Sequence, residues 1–173
     1  MISAHHSVTS KIAHFLYRLL RPCISNIIEA TIFMNESDFI QKLNHYCHTD
    51  HHLHPTTIFT TIKITNFHTM VSHTSMVQQL GYFFMDYSAR NKLECTSIIS
   101  NKPHYLSVAT IQQLITLFYE HNIFYYDGKI YGFTRGSPNS LLLSELLSSM
   151  YLFIWQKQVF APDPRFKTEL CGR

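Results

Sequence analysis

Glycine and proline are scarce in this chain, five and six residues among 173, which excludes a fibrous repeat and a long flexible linker. Charge is scarce as well. Only 14% of residues are charged against 46% hydrophobic, the reverse of the composition that keeps a chain disordered. A formal net charge of +3 leans only weakly toward polyanions, because nucleic-acid domains usually carry a pronounced basic patch. None of Cys23, Cys47, Cys95 and Cys171 forms a CxxC pair, so the spacing of a zinc knuckle is missing. A chain of this length builds a core without covalent staples, and the four are read as reduced thiols in an intracellular protein. Long apolar runs are missing too. The longest, Leu141 to Trp155, is broken by Ser144, Glu145, Ser148 and Ser149 and is too short and polar to span a bilayer. Near the start, Lys11, Arg18 and Arg21 alternate with Ile12, Phe15, Leu16, Leu19 and Leu20, which predicts an amphipathic helix rather than a secretory leader, and residues 1–32 are taken as a helical extension.

Histidine and aromatic residues are plentiful. Twelve histidines are present, and His45, His48, His51, His52 and His54 crowd into ten residues with Cys47 and Asp50. His48 and His52 stand four apart and could begin a tetrahedral zinc site, yet no second ligand pair occurs at zinc spacing, and a solvated loop is the plainer reading. Before this cluster, Asn35 or Ser37 can cap a helix carrying Phe39, Ile40, Leu43 and Cys47 on one side. After Pro55 the period shortens to two. Ile58, Thr60, Ile62 and Ile64 alternate with Phe59, Thr61 and Lys63, which predicts a strand with Lys63 on the less apolar face.

A second helix is predicted after Ser72, with Met76, Val77, Leu80, Phe83 and Phe84 inward, then a loop over 86–106 with a short element near Ser97 to Ile99. Ser107 caps a third helix reaching Glu120, with Val108, Ile111, Leu114, Ile115 and Phe118 inward. The Asp127-Gly128 dipeptide between IFYY and KIYGF predicts a hairpin, because a type I′ turn needs positive φ at both central residues. Gly136, Ser137 and Pro138 then lead into a helix from about Ser140 to Lys157, whose polar positions Ser144, Glu145, Ser148, Ser149, Gln156 and Lys157 form a narrow stripe and which requires cover on most sides. Glu145 is assigned to that stripe, and Tyr151, Phe153 and Trp155 to core packing.

This order of elements, with FMNESDFIQKL (33–43), TTIKITNFHTMVSH (60–73), IFYYDGKIYGFTRGSPNSLLLSELL (123–147) and FKTELCGR (166–173), resembles the fingers and palm of a reverse transcriptase domain of the Penelope-like retroelement type. The resemblance covers about residues 33–173, with motif A near 60–73 and motif B near 132–147. It implies an α/β fold, a palm-and-fingers fragment that is mostly helical with a small antiparallel sheet and a hairpin. Such domains use two Mg²⁺ ions held by carboxylates of motifs A and C for phosphoryl transfer. Lys63 stands where the motif A carboxylate belongs, and an ammonium repels Mg²⁺ rather than ligating it. The chain also stops ahead of the place where motif C would follow, and the expectation is that no metal cofactor and no polymerase activity remain. Asn66 replaces a second acid of some relatives, His68 a flat aromatic, and Arg135 a common Met.

What the resemblance leaves is binding, with Lys63, His68, Arg135, Gly136, Ser137 and Pro138 as candidate nucleotide or nucleic-acid contacts and Tyr125, Tyr126 and Tyr131 as stacking surfaces. The competing readings are that Gly-Ser-Pro is only a helix start and that the tyrosines are cross-strand pairs. An incomplete palm sheet would leave an unpaired edge and part of the apolar face of helix 140–157 uncovered, inviting self-association. No membrane partner is expected. A small module binding nucleic acid or protein, or a relic without function, are the alternatives to a polymerase.

Overall fold

The computed structural model describes residues 9–49, 56–90, 107–138, 140–160, 170 and 172. Within them the chain is mostly helical, with one two-stranded antiparallel sheet. Helix α1, Ser10–Ile28, presents Ala13, Leu16, Leu20, Cys23, Ile24 and Ile28 as a buried stripe at spacings of three and four. Pro22 lies inside it, so the Arg18 carbonyl lacks its helical donor, a loss the buried stripe on both sides of the proline outweighs. A 3-10 turn, Glu29–Thr31, closes this helix.

Helix α2, Glu36–Thr49, follows the expected cap, since the Asp38 N–H donates to Asn35 Oδ1 at 2.9 Å while Asp38 Oδ2 accepts from the Met34 N–H. Lys42 Nζ reaches Asp38 Oδ2 and the Ile32 carbonyl, and lies over the Phe33 ring. Its hydrogen bond, then the bond from Met34, hold the Asp38 carboxyl below the usual carboxylate range. The sign follows: this contribution to α2 is present above the unfolded Asp pKa and is lost as pH falls through the lowered folded one. Phe39 and Ile40 on this helix remain exposed, Phe39 meeting Phe33 edge to face.

Helix α3, Phe67–Met70, is a single turn entered through Asn66 in the left-handed region at φ 54°. Helix α4, His73–Arg90, begins where Ser72 Oγ accepts the Ser75 N–H, and buries Met76, Leu80, Phe83 and Phe84. Helix α5, Val108–Glu120, has Ser107 as its cap, accepting the Thr110 N–H at 3.1 Å. Replacing Ser107 with Ala is expected to cost about 1 kcal/mol, measured by urea unfolding, and Ser107→Asp should retain the stability. Strands β1, Ile123–Tyr126, and β2, Lys129–Gly132, pair in the register Ile123↔Gly132 to Tyr126↔Lys129. Asp127 and Gly128 have φ of 48° and 74°, as the hairpin turn demands.

Helix α6, Leu142–Phe160, is the central element. It packs on α1 and on α4, α4 packs on α5, and α1 also meets α5. The core they enclose holds Leu16, Leu20, Ile24, Leu80, Phe83, Ile115, Phe118, Leu143, Leu147 and Met150, each almost without solvent contact. The first helix is therefore built into the core, packed on α6. Only Leu142 and Val159 among the large apolar residues of α6 are exposed.

Four expectations are corrected. Residues 58–64 are irregular and exposed rather than a strand, because a period-two segment becomes one only against a hydrogen-bonding neighbour and among the described residues the sheet contains β1 and β2 alone. The loop expected from residue 86 begins later, since α4 continues to Arg90, and the short element expected near Ser97 to Ile99 lies outside the described residues. Ser144 and Ser148, assigned to a solvent stripe, are buried, whereas Glu145 is exposed as anticipated. Cys23 is disulfide-bonded, so the four cysteines are not all reduced thiols, while Cys47 is free.

Candidate functional site: a joint between two turns

The candidate residues concentrate where the turn after Asn66 meets the turn before α6. Gly136 donates its N–H to the Val71 carbonyl at 2.9 Å, and Ser137 donates to the His68 carbonyl at 3.0 Å. Two segments more than sixty residues apart in sequence are thus clamped backbone to backbone. Such closeness is possible because residue 136 is Gly. A Cβ there would fall 1.7 Å from the His68 carbonyl oxygen, and its φ of +64° is one that L side chains rarely adopt.

Side chains lock the clamp from both sides. His73 Nε2 donates to the Gly136 carbonyl at 2.8 Å, which assigns the proton to Nε2, and the imidazole stacks on Tyr119 with centroids 4.4 Å apart. Burial pushes the Tyr119 hydroxyl well above the ordinary phenol range. Ser137 Oγ donates to Ser144 Oγ at 2.7 Å, and Ser148 Oγ shares a hydrogen with His68 Nδ1 at 3.1 Å. Ser144 and Ser148 are one helical turn apart on α6, so this helix holds both turns from beneath. Tyr151, three residues further along α6, packs against Phe67.

Of the candidate residues, His68, Gly136 and Ser137 are therefore brought together, and Pro138 is buried beside them. His68 spends its carbonyl and Nδ1 inside the joint. Lys63 and Arg135 are exposed, and neither makes a hydrogen bond or ion pair among the described residues. Tyr125 and Tyr126 are also exposed, and the hairpin stacks Phe124 on its cross-strand partner Tyr131 at 5.5 Å. Phe124, Tyr126, Lys129 and Tyr131 share one face of this ribbon, by the alternation of its register.

No family matches. The chain finds no match among protein-family models, curated proteins or solved structures.

His73, Tyr119, Ser144 and Ser148 escaped sequence reasoning. The signal for the serines was their spacing of four in an otherwise apolar helix, which reads equally well as a solvent stripe until the opposing turn is placed. Among the described residues no group of three or more His, Cys, Asp or Glu side chains could hold a metal ion, and most of the 45–54 cluster lies outside them. No helix among the described residues is long and apolar enough to cross a membrane.

Proposed function

We propose that this chain is a non-catalytic relative of the reverse transcriptase palm and fingers, whose remaining activity is binding of single-stranded nucleic acid. What supports the kinship is the joint itself: the segments likened to motifs A and B lie against each other through Gly136 and Ser137. What speaks for silence in catalysis is Lys63. An exposed ammonium replaces the carboxylate on which two-metal phosphoryl transfer depends. The binding surface would be the ribbon face of Phe124, Tyr126 and Tyr131, with Lys129 on it and Arg135 and Lys63 as further exposed cations. Exposed rings offer faces to any base, and cations meet the backbone without reading sequence.

The purified chain is expected to show no Mg²⁺- or Mn²⁺-dependent primer extension, and Lys63→Asp is not expected to create any. Filter binding to oligonucleotides should instead show affinity that falls with salt. Tyr126→Ala should weaken it by roughly 5- to 150-fold, the range that follows from loss of one stacked base. Arg135→Gln should lower the log–log salt slope by about 0.7, one phosphate contact. Primer extension by the wild-type chain would overturn the catalytic half, and no binding at low salt the other.

A further inference from the structure

Residues 58–64 carry a strand sequence in a place where no strand forms. The stretch Ile58-Phe59-Thr60-Thr61-Ile62-Lys63-Ile64 has β-branched or aromatic residues at every position but one, and neither Gly nor Pro. None of these seven residues hydrogen-bonds to another described residue, and Ile58, Phe59 and Ile62 are 85%, 66% and 61% exposed. The two strands of the sheet pair with each other and do not take the segment up. A length of backbone with free N–H and C=O groups and strong β propensity is a template for pairing with another chain.

The pattern of the segment says which chain. Laid antiparallel on a copy of itself about Thr61, it sets Ile58 opposite Ile64 and Thr60 opposite Ile62, so one face becomes a continuous stripe of isoleucine and threonine, while Thr61 meets its own copy on the other. On the other face Lys63 falls over Phe59 of the partner subunit, a cation against a ring, and the two lysines stand four residues apart. A parallel, in-register pairing would put each Lys63 directly beside its copy, like charge against like. The segment is therefore complementary to itself in one orientation. We propose that this protein associates with a second copy of itself through antiparallel pairing of residues 58–64. The interface is isologous, as a two-fold axis through Thr61 requires. This inference stands apart from the nucleic-acid reading.

Sedimentation velocity over a wide concentration range tests it. The wild-type chain is expected to gain mass with concentration, with little dependence on salt. Thr61→Pro, which removes a ladder donor and fixes φ, should weaken association roughly tenfold or more. At concentrations low enough for both chains to be monomeric its melting temperature should match wild type, because the segment is exposed. In a Cys47→Ser background, Thr61→Cys should form a disulfide-linked dimer faster than Met70→Cys, an exposed position outside the pairing. A monomer at every concentration, a Thr61→Pro variant that associates like wild type, or equal cross-linking at 61 and 70 would overturn the proposal. So would association abolished by nuclease, which would assign it to bridging by nucleic acid.

Discussion

Gly136→Ala is expected to destabilise the protein by about 3–5 kcal/mol, a drop in melting temperature on the order of 10 °C for a chain of this size. Part of the cost is conformational: forcing an L residue into the left-handed region takes about 1–2 kcal/mol. The rest is steric, since the new Cβ would meet the His68 carbonyl oxygen at 1.7 Å and the Thr69 Cα at 2.6 Å, both backbone atoms. Relief requires the two turns to separate, and that lengthens the Gly136–Val71 and Ser137–His68 hydrogen bonds together. Gly132→Ala is the control. A Cβ at Gly132 meets nothing within 4 Å, and its substitution should change stability by no more than about 0.5 kcal/mol. If thermal melts of the two variants coincide, the turns are not clamped as described.

The second large effect is expected in α1. Leu20 is 1% exposed in the layer between α1 and its neighbours, and Leu20→Ala should cost about 2–5 kcal/mol by urea denaturation, the sum of lost transfer energy and residual cavity. Phe15→Ala, on the same helix but 44% exposed, should cost much less, under about 1 kcal/mol. The contrast separates a helix that belongs to the core from one that merely precedes it. Equal and small effects at both positions would detach α1 from the fold.

Local chemistry carried much of the architecture. Ser107 was recognisable as a cap, and Asn35 as one of two candidates with Ser37, because a short polar side chain ahead of an apolar period satisfies helix donors wherever the helix finally packs. Asp127-Gly128 was recognisable for the same kind of reason, since the turn's dihedral requirement lies within those two residues. The period-two segment misled. Its propensity is genuine, but a strand is defined by a neighbour, and residues 58–64 have none among the described residues.

The candidate site was legible only in part. Gly136, Ser137 and His68 were chosen on resemblance, and they do meet, though His68 faces a helix serine rather than a solvent cleft. Lys63 and Arg135 come from the same resemblance but carry charge, which keeps them outside the joint: an ammonium or guanidinium entering it would lose its hydration without an acid to replace it. Glu145, the carboxylate in the first turn of α6, points to solvent.

What the amino-acid order determined by itself was the longer helices, the caps at their starts and the hairpin turn, because each of these depends on interactions spanning a few residues. Only the tertiary structure decided that α1 covers α6, that Ser144 and Ser148 face inward, and that residue 136 must be Gly. Those outcomes depend on which distant segments come within contact distance. A serine on an apolar helix carries the same sequence signal toward water or toward an imidazole, and the packing of His68 against α6 settles the choice.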